Sequence, residues 1–191
     1  MRVILTAGHN GKGTGANGII DEGTETIKLR NTIGANLRGV LGSISLAMDN
    51  DTTDFKSVLK WLKTIDRGDV LVDVHFNAFN KKAQGTEVIV ACDADKETIA
   101  FAEGLLKVVC DTLGTNSRGV KDELQSQHSR LAMLHTDAAD KSVLLEVCFC
   151  DNADDVEKYI LNRNLLSLNI AKYLAGVKFD KPRKDQCIGL R

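Results

Sequence analysis

Aromatic residues make up only 5% of this 191-residue sequence, with a single tryptophan. That scarcity argues against an extended surface for stacking bases or sugars. Proline occurs once, at Pro182, and neither a proline-rich linker nor an internal repeat divides the chain. Neither sign of charge is in excess: 25 basic and 26 acidic residues are well mixed and leave a net charge of -1. No bulk field therefore draws nucleic acid, although a small cationic patch is compatible with this balance. Long apolar runs are missing too. The N-terminal RVILT stretch is too short for a signal-peptide core and far too short to span a membrane. Membrane insertion is not expected, and synthesis in a cytoplasm without a signal peptide is. Cysteine is present but odd in number, at 92, 110, 148, 150 and 187. In a chain this long, that excludes a disulfide framework and fits a reducing compartment. Cys148 and Cys150 fall on one side of an expected strand and read as core thiols.

What is present is an ordinary globular composition, 43% hydrophobic, in a length suited to one domain. Residues 2–6 read as a first strand. Residues 7–23 hold six glycines, at 8, 11, 13, 15, 18 and 23, and read as a loop. A helix is expected over 22–41, with Leu29, Ile33 and Leu37 in its apolar stripe. A short strand is expected over 43–48. A second helix is expected over 54–66, carrying Phe55, Val58, Leu59 and Leu62. Strands follow over 69–74 and 86–91, then a helix over 95–113 with Ile99, Ala102, Leu106, Val109 and Leu113 on one face. Residues 114–141 carry little pattern, with a short strand expected over 130–134. The run SVLLEVCF, 142–149, reads as a buried strand, and a last helix covers 153–174. Alternating strands and helices predict an α/β fold with a mostly parallel sheet and helices on both faces. Residues 178–191 read as a short extension.

The polar exceptions to this pattern carry the chemistry. His9 and His75 each lie just past a strand, where parallel sheets bind ligands. His75 also follows Asp73 by two residues. Glu146 interrupts an apolar strand, and a carboxylate there is costly unless paired, protonated or bound to metal. Glu22 opens a helix, where the dipole favours an acid; Asp21 and Glu25 are its local competitors. Two histidines and a carboxylate suit a catalytic zinc with an open fourth position, and a second carboxylate can move the proton. The stretch GHNGKGTG satisfies neither GxxxxGK[ST] nor GxGxxG, so a nucleotide site is not expected.

The motifs TAGHNG at 6–11, NGIIDE at 17–22, VDVHFNA at 72–78, GTEVIV at 85–90, RGVK at 118–121 and VLLEVCFCDNADDVEKY at 143–159 occur in this order. Together they resemble the zinc-dependent N-acetylmuramoyl-L-alanine amidases of the third amidase class, over residues 1–175. The resemblance implies a single domain with a twisted, mostly parallel six-stranded sheet flanked by helices. It implies one Zn2+ held by His9, Glu22 and His75, with Glu146 as general base and acid. The implied reaction cuts the amide between N-acetylmuramic acid and the L-alanine of the peptidoglycan stem. Asn10 stands where the family usually has glycine, Ser142 where a proline is common, and SLAMDN where the second strand usually ends in Thr-Arg.

Asn77 either hydrogen-bonds the substrate or shapes its loop. Arg118, Lys121 and Arg130 are candidates to meet an anionic peptide stem, against the plainer reading of solvated surface. Residues 1–177 are expected to form the catalytic domain, with no separate wall-binding domain after it. Peptidoglycan is the expected partner of a monomer. A lone catalytic domain made in a reducing cytoplasm suits a phage or prophage endolysin, released through a holin to act on the wall. The alternatives are a zinc peptidase cutting within the stem, and a catalytically inactive wall-binding domain.

Overall fold

The apolar runs that read as strands pair side by side in one sheet. A computed structural model describes residues 1–40, 44–126 and 130–176. The elements are β1 (Arg2–Ala7), α1 (Glu22–Val40), β2 (Ser45–Met48), α2 (Phe55–Leu62), β3 (Gly68–Asn77), β4 (Thr86–Val90), α3 (Lys96–Leu113), β5 (Ser117–Asp122), β6 (Ala139–Phe149) and α4 (Ala153–Leu174). The six strands lie in the order β2-β1-β3-β6-β4-β5. Only the β4–β6 pair is antiparallel. The expected α/β domain, with a mostly parallel six-stranded sheet flanked by helices, is the one observed.

Two-residue alternation along the strands sorts the side chains between the two faces. Val3 and Leu5 of β1, Val70, Val72 and Val74 of β3, and Val143 and Leu145 of β6 share the larger core. Leu29, Ile33 and Leu37 of α1, Leu105 and Val109 of α3, and Leu166 and Ile170 of α4 cover that face. The residues between them point the other way. There Ile4 and Leu71 pack against Val58 and Leu62 of α2, with Met133. The two-turn α2 covers only part of this second face, and the remainder is lined by Asp73, His75, Asn77, Glu87 and Glu146. A register shift puts two residues of β6, Val147 and Cys148, against one of β3, Phe76, between the His75–Glu146 and Asn77–Phe149 pairs. That bulge lets the consecutive Val147 and Cys148 both enter the larger core. Cys148 and Cys150 are buried core thiols, as expected.

Some expectations are corrected. The strand expected over 130–134 is instead a 3-10 turn, Ala132–His135. Within it Met133 and Leu134 are both buried, in separate small clusters. A strand that the sequence pattern did not reveal, β5, lies at the sheet edge. Its residues SRGVKD are polar and partly exposed, so no apolar alternation marks it. The second helix ends at Leu62 rather than 66, and Phe55 is 49% exposed instead of packing inward. Ile99 is likewise exposed, whereas Leu105 and Val108 join the core. α4 starts and stops as expected; Asn152 caps it by accepting hydrogen bonds from the amides of Asp154 and Asp155. Leu41, Ser43, His128 and the tail 178–191 lie outside the described residues. Among those described, no helix is long and apolar enough to cross a membrane.

Candidate functional site

Three chain segments bring His9, Glu22 and His75 together. His9 follows β1, Glu22 is the first residue of α1 and His75 lies near the end of β3. One ligand atom from each falls within 4.8 Å of the others. Glu22 is 3% exposed, and backbone amides fix both its oxygens. Oε2 accepts from Ala16 N–H at 2.6 Å and Oε1 from Phe76 N–H at 3.0 Å. His75 Nδ1 stands 3.0 Å from Oε1, and His9 Nε2 stands 3.7 Å from Oε2. The local competitors are occupied elsewhere. Asp21 accepts from Gly13 and Thr24, while Glu25 accepts from the Tyr159 hydroxyl and pairs with Lys28.

Two glycines make room for this assembly. A Cβ on Gly8 would stand 1.9 Å from His75 Nε2. Gly15, at φ +73°, would place a Cβ 2.5 Å from both Glu22 Oε2 and His9. The glycine-rich loop therefore gives way to the side chains of His9, Glu22 and His75 at these points. Asn10, the departure from the usual glycine, is pinned behind the site. Its side-chain amide donates to Asp49 Oδ2 at 2.9 Å and to the Thr53 carbonyl at 2.8 Å. Asp49 in turn pairs with the fully buried Arg30 and accepts from Ala7 N–H.

The donor set fits a cation. Asp73 Oδ2 lies 3.1 Å from His75 Nε2, and the Thr6 hydroxyl donates to Asp73 Oδ1 at 2.7 Å. A proton on Nε2 bonded to Asp73 leaves the Nδ1 lone pair facing the Glu22 carboxylate, two acceptors at contact. Either a second proton or a metal ion must lie there, and a carboxylate on the outer ring nitrogen is the usual support of a metal-binding histidine. With no ion, burial would lower the His75 pKa, but Asp73 and Glu22 outweigh it and hold it well above the ordinary histidine value. Burial raises Glu22, yet His75, the Ala16 amide and His9 bring it below the usual glutamate value. His9 is lowered, chiefly by burial.

Glu146 pairs with His75 in the β3–β6 register and with Glu87 in the β6–β4 register. Its Oε2 is buried and has no hydrogen-bond partner. Burial pushes its pKa up to about 7; Glu22, Glu87 and Asp73 add to the rise, and His75 opposes it. These residues line a cleft of about 810 Å³, with Phe55 and Phe79 also on its walls. The remaining sequence candidates separate. Asn77 donates to Glu87 Oε1 at 3.0 Å, so it meets a protein carboxylate. Arg118 Nε and Lys121 Nζ each lie 2.6 Å from Glu87 Oε2. Arg130 lines the cleft as an exposed residue.

Sequence reasoning missed Glu87 and treated Asp73 only as a neighbour of His75. Both carry the signal that marked Glu146, an acid at a buried position within an apolar strand. Asp49, at the end of a short strand, gave no such signal.

Comparison with known proteins finds relatives in sequence and in fold. An uncharacterized protein of Clostridium perfringens (strain 13 / Type A) is 30% identical over 169 residues, which are 83% of this chain and 47% of that protein. An uncharacterized 38.4 kDa protein of Clostridium perfringens is 24% identical over 83% of this chain and 46% of its own length. The chain thus spans about half the length of the curated relatives it matches. Among solved structures, the catalytic domain of the CD27L endolysin targeting Clostridia difficile superposes with a TM-score of 0.72 at 22% identity, covering 94% of this chain and 99% of that one. The putative N-acetylmuramoyl-L-alanine amidase of Neisseria meningitidis superposes with a TM-score of 0.74 at 26% identity, covering 92% and 94%. The N-acetylmuramoyl-L-alanine amidase family profile matches residues 3–177, which reach into every strand and helix described above and include all four residues His9, Glu22, His75 and Glu146. The chain belongs to that family.

Proposed function

We propose that this chain hydrolyses the amide between N-acetylmuramic acid and the L-alanine of the peptidoglycan stem, using one zinc ion held by His9, Glu22 and His75. The observation that carries this reading is the unpartnered Glu146 oxygen beside a His-Glu-His cluster in one cleft. A zinc ion in such a set supplies Lewis acidity toward a carbonyl and toward water.

The chain's own residues do the rest. Asp73 orients the His75 ring, and Thr6 orients Asp73. The Ala16 and Phe76 amides hold Glu22 in place. Glu146 takes a proton from the attacking water and delivers it to the departing alanine nitrogen. Without metal its pKa is pushed up to about 7, and a dication held beside it would favour the ionised form that accepts the first proton. Residues 1–177 act as the catalytic unit, and the wall is the place of action. The likeness to an endolysin catalytic domain supports a lytic role in a phage or prophage setting, with release through a holin.

Digestion of purified peptidoglycan tests the reading, paired with metal analysis. An amidase frees an L-alanine amino terminus, leaves the glycan strands intact and contains about one zinc per chain. New amino termini at other stem residues would replace the reading with a peptidase. No release of termini, despite bound zinc, would point to a wall-binding domain.

A further inference from the structure

The Glu87 cluster has one cation more than its carboxylate needs. Arg118 and Lys121 both pair with the same Glu87 oxygen, and Asn77 occupies the other. Glu87 is 6% exposed, so it is a fixed buried anchor. Glu87 balances one of its two cations, so this cluster by itself keeps a unit of positive charge. The side chains of Arg118 and Lys121 are 34% and 25% exposed. Arg118 uses only Nε, and its guanidinium carbon lies 5.0 Å from the centroid of the Phe149 ring. Its two Nη groups have no hydrogen-bond partner among the described residues, leaving the planar fork that matches a carboxylate.

Position and charge together select the ligand. His75, Glu146 and Glu87 lie on three adjacent strands, in register. One strand spacing, roughly 5 Å, separates the proton carrier from Glu87, and the cations reach from β5 beyond it. That distance is the reach of one to two extended residues from the scissile nitrogen. The acyl half of the substrate is uncharged there, because the muramic acid carboxyl is consumed in the scissile amide. The first alanine's carboxyl is consumed in the next peptide bond. Where the second residue is isoglutamate, joined onward through its γ-carboxyl, its α-carboxylate is the first free one in the amine half.

We propose that Arg118 and Lys121, anchored on Glu87, form a subsite for that carboxylate, so that the enzyme favours a stem whose second residue is a free acid over one amidated there. This rests on the amidase reading above. Asn77 is then a positioning residue for Glu87.

Two muramoyl tripeptides test it, identical except for D-isoglutamate or D-isoglutamine at the second position. The zinc-containing wild-type protein should cleave the acid with a kcat/KM about 10-fold to 100-fold higher, the range spanned by one charge-assisted hydrogen bond. The ratio should shrink as NaCl is raised. Arg118→Gln and Lys121→Met should each drive it toward unity, and Arg118→Lys should restore part of it. Equal cleavage of both substrates by the wild type would overturn the subsite while leaving the amidase reading intact. Cleavage of neither at the muramoyl–alanine amide would sink the amidase reading, and the subsite with it. The wild-type ratio decides even if a variant fails to fold, which circular dichroism would reveal.

Discussion

Two ends of one cleft treat a buried carboxylate in opposite ways. At the β1–β3 end, Glu22 faces histidine nitrogens that are themselves acceptors, and the arrangement is complete only with a cation between them. At the β4–β5 end, Glu87 already has its cations, Arg118 and Lys121, and their pairing holds it below the usual glutamate pKa although burial opposes them. Glu146 lies between the two and has neither. On the proposed reading, three acids lining one cleft thus acquire three jobs from their neighbours: ligand, anchor and proton carrier.

Changing the middle acid should have the largest effect. Glu146→Gln keeps the shape and the metal ligands but cannot carry a proton. Its kcat/KM on peptidoglycan fragments should fall about 10²-fold to 10⁴-fold, while zinc content stays near the wild-type value. Near-normal turnover by that variant would show that the proton travels elsewhere.

The same substitution should stabilise the metal-stripped fold. The folded pKa of Glu146 is raised from 4.5 to about 7, so ionisation is disfavoured in the native state. The stability of the protonated form is fully present below about pH 4.5 and is lost as pH rises through about 7. Above that range, Glu146→Gln should be more stable than wild type by up to about 3 kcal/mol. The gap should close on acidification. Urea titrations at pH 8 and at pH 4.5 measure it, and equal midpoint shifts at both values would contradict the buried, unpartnered state of this acid.

Asp73 and Asn77 flank His75 on β3, two residues to either side, and they sharpen the contrast. Asp73 serves the metal end. Asp73→Asn should weaken zinc affinity by about 10-fold to 100-fold, the usual loss when the partner of a ligating histidine is changed. Competition with a chromogenic chelator would measure it. Undiminished affinity would mean that the Gly8 contact and the Glu22 carboxylate alone orient the ring.

Much of this was legible in the sequence, for definite physical reasons. Glu146 stood out because an acid inside LLEVCF contradicts its surroundings, and His9 because a glycine loop is a poor home for a core histidine. Glu22 could not be told from Asp21 or Glu25 by chemistry, since any acid suits a helix start; the family motif separated them, and the Ala16 and Phe76 amides show why. Glu87 was hidden although TEVIV carries the same contradiction as LLEVCF, because its partners Arg118 and Lys121 come from β5. That strand has an exposed, polar edge sequence, so neither its pairing nor its direction could be read. The bulge in β6 was equally silent, since Val147 and Cys148 are apolar whichever face they take.

The smallest effect should come from the other flank of His75. Asn77 donates one hydrogen bond to a carboxylate that keeps two cations when it is gone. Asn77→Ala should therefore destabilise the fold by only about 1 kcal/mol, and zinc affinity should remain within about twofold, because no atom of Asn77 bonds a ligand residue. Glu87 would still be ionised and still fixed at Oε2. Thermal unfolding read beside the same chelator competition separates these two quantities. A zinc affinity that falls as far as in Asp73→Asn would show that the two ends of the cleft are coupled through β3, and the division between ligand end and cation end would have to be redrawn.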